Sequence, residues 1–318
     1  MAVGTYPISF NDVITVLSDK IHGITYDVRT EEGTIQEIVF NTRLPRITFA
    51  IIAGIGLAIC GVTMQSVMKN PLAEPYTTGV SSGAYLGVAI FMALEISIFN
   101  DGGLVTNAIL FALIPVMIIL LLSPKMNGSV ATLILIGTAI SYMFGAMSTL
   151  ILVSSESETV ADIYRWQVGS FAINGWTPVY ISGTIVAIGS IIIYYLSKKL
   201  NIIMMGDDTA KSLGINAKRL RLECLLITAV VVAVIVAYCG ILGFVGLICP
   251  HIIRLVLGSD NRFVIPAACA FGAAFLVVAD TISRYVVHLD IIPVGAVASL
   301  IGAPIFMIIL IRNKRGIW

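Results

Sequence analysis

Residues 206–221, GDDTAKSLGINAKRLR, form a polar stretch between two long apolar segments at about 177–197 and 222–238. We call this stretch the elbow. A segment this polar between two apolar ones must face water at a membrane surface. Its sequence fits two interpretations, a solvated connecting loop or a compact helical surface to which another protein docks. Both interpretations require membrane-spanning helices on either side of it.

Local sequence signals predict two short helices within the elbow, joined by a turn. Asp207, or the aspartate that follows it, is placed to cap the first helix by accepting unpaired backbone N–H groups. Gly214 stands where a helix commonly ends in the left-handed conformation, and Asn216 is placed to cap the next helix. Ala210 and Leu213 are three residues apart and are therefore expected on one face of the first helix.

The composition is that of a polytopic membrane protein. Hydrophobic residues make up 58% of the chain and charged residues 12%, with a mean hydropathy of +0.99. Spanning segments must be helices or a closed barrel, and the apolar runs lack the alternation of barrel strands. We therefore expect an all-α bundle, and nine runs approach the ~20 residues that a span requires. They are about 47–68, 79–99, 104–123, 130–153, 177–197, 222–238, 240–257, 263–286 and 292–311, with Pro250 expected to interrupt the seventh.

The distribution of basic residues gives the orientation. If the elbow is cytoplasmic, 13 of the 19 Lys and Arg residues fall in cytoplasmic segments, as the positive-inside rule favours. The C-terminal tail, 312–318, is then cytoplasmic and residues 1–46 are external. An exported polar N-terminus needs a preceding span or signal, so we expect an initial span to be missing from this chain. We treat residues 1–318 as a single membrane domain.

The motifs of common enzymes are absent from the sequence. It contains no HExxH, no GxSxG and no GxxxxGK[ST] phosphate loop, so the chain is not expected to hydrolyse nucleotide. Of the three histidines, His22, His251 and His288, the last two fall on opposite sides of the membrane and cannot share a metal. We expect His251 to be a structural residue or a hydrogen-bonded residue at a helix end. The cysteines show no CxxC spacing and are expected to be packing residues.

An ion-coupled carrier is the alternative from a different functional class. Such carriers place carboxylates within their spans, and Asp280 is the clearest candidate here. Arg284 lies four residues later, which is the spacing of a helical ion pair. We therefore expect an internal Asp–Arg pair that neutralises charge rather than a proton relay.

Two further features stand out by position. Arg43 and Arg46 lie on the external side directly before a glycine-rich span, and Arg284 lies near the external end of another. These cations are suited either to lipid headgroups or to acidic residues of an external partner. On the cytoplasmic side, NPLAEP at 70–75 predicts a rigid corner because of its prolines.

The sequence resembles the FecCD family of ABC-importer permeases, and the matching segments occur in family order from about residue 35 to the end. The set of segments is highly specific, although each one alone is weak. They are RLPR (43–46), GLAICGVTMQSVMKNPLAEP (56–75), GVSSGA (79–84), WQVGS (166–170), GDDTAKSLGI (206–215), GFVGLICPHIIRLVLGSDNR (243–262), ADTISR (279–284) and IPVGAVASLIGAPIF (292–306).

The resemblance implies a ten-span permease of the type II ABC-importer bundle that works as a homodimer in the cell membrane. Two separate ATPase subunits, which carry the ATP and Mg, bind below it, and a periplasmic or lipid-anchored binding protein docks above. No cofactor, metal site or nucleic-acid partner is implied for this chain, whose other contacts are with membrane lipid. The substrate path runs along the dimer axis.

The resemblance also assigns roles to particular residues. The family's arginines at the positions of Arg43, Arg46 and Arg284 face acidic residues of the binding protein. The family's cytoplasmic gate lies at the turn that here includes Asn127, Gly128, Ser129 and Val130. The ATPase-coupling helices of the family correspond to Gly206, Asp207, Asp208, Thr209, Ala210, Lys211, Ser212, Leu213 and Gly214.

Two departures from the family pattern affect these expectations. The family's first span is absent, and Asp290 in LDIIPVG replaces a glutamate that is frequent before the LPVG-like motif. Family members carry different chelates, so the sequence leaves the substrate open. An iron-siderophore is the first expectation, with haem, cobalamin and molybdate as alternatives.

Overall fold

The computed structural model describes residues 6–98, 103–123, 129–173, 175–285 and 292–312, and within these ranges the fold is all-helical, as the sequence predicts. The helices are α1 (Phe10–Ile21), α2 (Glu31–Glu37), α3 (Leu44–Met68), α4 (Val80–Leu94), α5 (Gly103–Leu122), α6 (Val130–Val153), α7 (Ser157–Gln167), α8 (Thr177–Tyr195), α9 (Ser197–Met204), α10 (Asp207–Ser212), α11 (Ala217–Cys239), α12 (Val245–Leu257), α13 (Asn261–Tyr285) and α14 (Val294–Arg312).

Each of the nine predicted apolar runs contains a helix. Six helical segments of the described chain are long and apolar enough to cross a membrane, namely those containing α3, α5, α6, α8, α11 and α13. The other three runs contain the shorter apolar helices α4, α12 and α14. The run predicted at 79–99 is shorter than expected, since α4 ends at Leu94 and Glu95 adopts a left-handed conformation.

The first span extends much further toward the N-terminus than residue 47, where the apolar run starts. A π-helical segment at 38–43 joins α2 to α3, so that Glu31–Met68 is one continuous helical segment of 38 residues. Thr30 starts it by accepting a hydrogen bond from the Gly33 N–H (3.1 Å). Helix α1 packs against the extension through a small separate core that includes Val13, Val16 and Val39.

The break in the seventh apolar run was predicted wrongly. Helix α12 continues through Pro250, and the interruption lies before it, between Gly240 (φ +74°) and Phe244 (φ +68°). The Gln65 side chain of α3 donates to the Leu247 carbonyl (3.1 Å) in the turn before the proline and so connects α3 to α12. In the break itself, the Tyr76 hydroxyl donates to the Leu242 carbonyl (3.1 Å).

Helices α3 and α13 form the central pair of the bundle. A Cβ on Gly54 would collide with the carbonyl of Gly272, and Gly61 meets the backbone of Gly246 in α12 in the same way. Small residues permit this backbone contact where no hydrophobic effect drives helices together. The helices are therefore tightly packed along α3, as the glycine-rich sequence predicts.

Networks of polar side chains lie at the two ends of this pair. The end of α3 at Lys69, the start of α13 and the elbow lie together, and we call this the elbow end. Arg46 near the start of α3 meets Asp280 near the end of α13, and we call this the arginine end.

Candidate functional site

In the structure the short helix α9 continues directly into residues 206–221, so from here on the elbow denotes residues 197–221, which comprise α9, α10 and the first turns of α11. Gly206, at φ +129°, is the N-cap residue of α10, and no side chain caps this helix. Gly214 is left-handed (φ +76°), and the Asn216 side chain accepts from the Arg219 N–H (3.1 Å), so both of these predictions are confirmed.

Another prediction for the elbow was wrong. The carboxylate of Asp207 does not cap α10, because it binds two cations from other parts of the chain. Ala210 and Leu213, which were expected on one face of the first helix, differ in burial, since Ala210 is fully buried while Leu213 is 60% exposed. The short helix therefore uses Ala210 to pack against its own chain and leaves Leu213 in solvent.

Asp207 anchors the elbow to the bundle. Its Oδ1 lies 2.5 Å from Nζ of Lys69 and 2.5 Å from a terminal guanidinium nitrogen of Arg221. Arg221 is buried, and its Nε donates to the Val67 carbonyl (3.0 Å) at the end of α3. The hydrogen bond from Arg221, and to a smaller extent the one from Lys69, lower the pKa of Asp207 to about 2. One carboxylate thus connects α10, α11 and the end of α3.

A second polar network connects the elbow to α13. The Asn201 amide in α9 donates to Asp260 (2.7 Å), and the Asn201 side-chain oxygen accepts from the Asn261 N–H (2.8 Å). The buried Arg254 of α12 donates to the Asn261 side chain and to the Ser66 hydroxyl, both at 3.0 Å. Hydrogen bonds from Arg262 hold the pKa of Asp260 below its usual value. Sequence reasoning missed this network, because its members come from four helices far apart in the chain.

The outward surface of the elbow combines apolar and charged groups. Met205 and Leu213 are 72% and 60% exposed, on either side of α10. Beside them lies a groove of about 460 Å³ with carboxylate, ammonium and backbone groups on its walls. The groove is lined by Asp207, Asp208, Lys211, Gly214, Ile215, Asn216, Ala217 and Lys218.

The arginine end holds a second shared carboxylate. Arg46 Nε donates to Asp280 Oδ1 (2.9 Å), and a terminal nitrogen of Arg284 lies 3.0 Å from Oδ2. Asp280 is 1% exposed, and each of these two arginine side chains is 9% exposed. The predicted Asp280–Arg284 pair is confirmed, and Arg46 is an additional partner. Arg43 is also buried, and it donates to the Tyr6 carbonyl (2.6 Å).

Comparison with known proteins agrees with this architecture. The profile of the FecCD transport family matches residues 1–312. The chain belongs to the FecCD transport family. The chain is 36% identical to the vitamin B12 import system permease protein BtuC of Vibrio cholerae, over 87% of this chain and 84% of that protein. It is 32% identical to the molybdate import system permease protein MolB of Haemophilus influenzae, over 99% and 92% of the two chains.

A solved structure supports the same fold. It is an inward-facing transporter assigned to the metal-chelate type of ABC transporter, with a TM-score of 0.83 and 30% identity. The match covers 95% of this chain and 98% of that one. FecCD membership makes the chain a membrane-embedded transport permease rather than an enzyme.

The predicted FecCD gate is only partly within the described residues. Asn127 and Gly128 lie outside them. The Ser129 hydroxyl accepts from the Thr132 N–H (3.2 Å) and caps α6, whose first residue is Val130. The described half of the predicted gate is therefore the capped first turn of α6.

The structure describes two of the three histidines, and they have different surroundings. His251 lies in the middle of α12 and is 1% exposed, with its ring edge-on to Phe306 (centroids 5.3 Å apart). Neither ring nitrogen has a hydrogen-bond partner among the described residues, so the expected helix-end hydrogen bond is wrong. His22 shares a hydrogen bond with the Ser18 carbonyl (2.8 Å). Within the described ranges no group of three His, Cys, Asp or Glu side chains is placed to hold a metal.

Proposed function

We propose that this FecCD chain is the translocating subunit of an ABC importer for a metal chelate. It works as a homodimer in the cell (inner or plasma) membrane, with the elbow and the C-terminus on the cytoplasmic side. Two ATPase subunits, which bind ATP and Mg, dock at the elbow end. A periplasmic or lipid-anchored binding protein delivers the substrate at the arginine end.

The observation that carries this proposal is the construction of α10. Its outward side presents Met205 and Leu213 to solvent, while its inward side is fixed by the buried Ala210 and by Asp207. Large apolar side chains at the water-facing end of a membrane protein are typical of a protein contact. Residues 206–214 are therefore the ATPase-coupling surface of this proposal.

The contacts of Asp207 and Asn201 would transmit ATP-driven movement of the elbow into the helical bundle. Movement of α10 is passed by Asp207 to Lys69 at the end of α3, and movement of α9 is passed by Asn201 to Asp260 before α13. Helices α3 and α13 are the pair that Arg46 and Asp280 join at the other end. ATP-driven movement at the elbow then reaches the face where the binding protein docks, as alternating access requires.

The arginine end is the proposed docking site for the binding protein. Arg43, Arg46 and Arg284 form a cationic group there, with Asp280 offsetting part of its charge. Charge reversal at Arg46 would break its ion pair with Asp280, so docking is tested with Arg43→Glu, which leaves that pair intact although it removes the hydrogen bond to the Tyr6 carbonyl. We expect the variant to lower binding-protein affinity while ATPase assembly is retained, and Arg165→Glu, an exposed residue outside this group, to have little effect. Unchanged affinity of Arg43→Glu would reject docking through this residue.

The proposed cytoplasmic gate is the turn at 127–130. The capped start of α6 gives the gate a fixed edge, since Ser129 orders the first turn.

An iron-siderophore is the proposed substrate, with haem, cobalamin and molybdate as alternatives. The metal-chelate type of the matched structure supports the first class, while the relatives named for vitamin B12 and molybdate keep the others open. The molecule held by the cognate binding protein identifies the substrate directly.

An ion-coupled carrier is less well supported. Its best candidate relay, Asp280, lies between Arg46 and Arg284, which stabilise its charged form. Uptake by proteoliposomes separates the two classes: we expect it to require ATP and to survive collapse of ion gradients. Uptake that follows an ion gradient without ATP would contradict the proposal.

Co-purification tests the docking surface. We expect Met205→Asp with Leu213→Asp to abolish retention of the cognate ATPase, because both changes place charge in an apolar contact. The matched control is Val256→Asp with Leu257→Asp, which changes two exposed residues outside the elbow. Full retention by the elbow variant, or equal loss in both, would contradict docking at α10.

A further inference from the structure

A second groove at the elbow end lies outside the coupling surface. It has a volume of about 590 Å³ and is formed where α8 meets α9, next to the start of α13. Ile191, Tyr194 and Tyr195 come from the last turns of α8, and Lys198 and Lys199 from the first turn of α9. The groove therefore lies at the level where two apolar helices leave the membrane. Ser197 and Arg262 complete its lining.

The charge of the groove is positive. Lys198 and Lys199 are exposed, and neither has an acidic partner among the described residues. Arg262 is 51% exposed and is held by Asp260, to which a terminal nitrogen donates at 2.6 Å. The two lysines and Arg262, together with the carboxylate of Asp260, give the groove a net charge of two positive charges. This positive charge can bind an anion.

Its other wall is apolar and faces the membrane. Ile191 and Tyr195 are 70% and 82% exposed, and Tyr194 is 52% exposed. Tyrosines at the end of a span are typical of the membrane–water interface, where a ring contacts acyl chains and its hydroxyl contacts water. Lysines at the same level extend their ammonium groups toward the headgroups. A ligand of this groove would need an anionic head and an apolar body.

We propose that this groove binds the headgroup of an anionic phospholipid of the adjacent leaflet. The phosphodiester binds Lys198, Lys199 and Arg262, and the acyl chains lie along Ile191 and the two tyrosines. Basic pockets between spans on the cytoplasmic side bind cardiolipin and other anionic headgroups. The proposal is independent of the transported substrate.

The site is connected to the elbow. Asp260 accepts hydrogen bonds from both Arg262 and Asn201 of α9. A lipid phosphate at Arg262 would compete with Asp260 for the guanidinium and so change the surroundings of the carboxylate to which Asn201 of α9 donates. Anionic lipid therefore acts on the same network that positions the coupling helices.

Lipid titration with native mass spectrometry of the detergent-purified chain tests the proposal, with phosphatidylglycerol and phosphatidylcholine as probes. We expect tighter retention of phosphatidylglycerol. Lys198→Gln with Lys199→Gln and Arg262→Gln should lower that affinity roughly a hundredfold, from the typical contribution of each basic residue near an anionic surface. Lys198→Gln with Lys199→Gln alone keeps the Arg262–Asp260 pair and should lower it by at least tenfold.

The matched control is Lys20→Gln with Arg29→Gln and Arg165→Gln, which removes the same charge at exposed residues outside the groove. We expect this variant to retain phosphatidylglycerol as the parent does. Equal losses in the two triple variants, equal retention of the two lipids, or displacement of phosphatidylglycerol by millimolar inorganic phosphate would overturn the proposal. The last result would identify a free-phosphate site instead.

Discussion

The two ends of the molecule use the same device, one carboxylate shared by two cations, in very different surroundings. At the elbow end Asp207 binds Lys69 and Arg221, and its side chain is 48% exposed. At the arginine end Asp280 is bound by Arg46 and Arg284 and is 1% exposed. The Asp207 carboxylate is therefore in contact with solvent, whereas the Asp280 carboxylate is not.

This difference separates an adjustable contact from a permanent one. An ion pair in contact with water contributes little to stability, so it can be rearranged at low cost. A buried carboxylate that neutralises two guanidinium groups cannot be removed without leaving buried charge. We infer that Asp280 fixes α3 to α13, while Asp207 transmits movement of α10 to α3.

The largest effect on stability is expected for Asp280→Asn. This change leaves Arg46 and Arg284 without their buried counter-charge, and we expect it to lower the free energy of unfolding by about 3–5 kcal/mol. Thermal unfolding in detergent measures the change. Asp162→Asn is the control, because it breaks only an exposed pair with Arg165. Equal small effects of the two variants would contradict a structural role for Asp280.

A smaller effect on stability is expected for Gly54→Ala, in the part of α3 that lies between the elbow end and the arginine end. The new methyl group meets the backbone of Gly272, so α3 and α13 must separate, at a cost of about 1–3 kcal/mol. Gly145→Ala in α6 is the control, since its methyl group meets open space. If Gly54→Ala is as stable as that control, the two helices are not the rigid connection between the ends.

The smallest effect on stability is expected for Asp207→Asn, about 1 kcal/mol, because this carboxylate is half exposed and the buried Arg221 keeps its hydrogen bond to the Val67 carbonyl. The pKa of Asp207 is lowered to about 2, so its contribution is fully present above the unfolded pKa near 4 and is lost as the pH falls toward 2. The difference in unfolding temperature between parent and variant should therefore be constant from pH 7 to 5 and shrink below pH 4. A difference that changes between pH 5 and 7 would contradict this assignment.

Local signals allowed part of the fold and site to be predicted. Gly214 and Asn216 were predicted correctly because left-handed ends and N-caps depend on a few neighbouring residues. The Asp280–Arg284 pair follows from helical spacing alone. Each of the nine apolar runs contains a helix, since lipid imposes the same requirement on each.

The errors have a common cause, which is contact between distant segments. Asp207 was predicted as a cap because its partner Lys69 lies 138 positions away in the chain. Pro250 was predicted to break a helix, whereas the break lies earlier, where Tyr76 from a distant segment donates to the Leu242 carbonyl. The Arg254–Asn261 network gave no signal beyond polar residues near the ends of spans. Tertiary contacts, rather than propensities, decide these positions.

The most direct test of the account is the ratio of substrate uptake to ATP hydrolysis for Asp207→Asn in proteoliposomes with the cognate ATPase and binding protein. We expect the ATPase to remain bound and active, because Met205 and Leu213 are unchanged, while uptake per ATP hydrolysed falls at least several-fold. Glu223→Gln, which alters an exposed pair on α11, should keep the parent ratio. An unchanged ratio for Asp207→Asn would contradict the claim that this carboxylate carries movement from the elbow into the bundle.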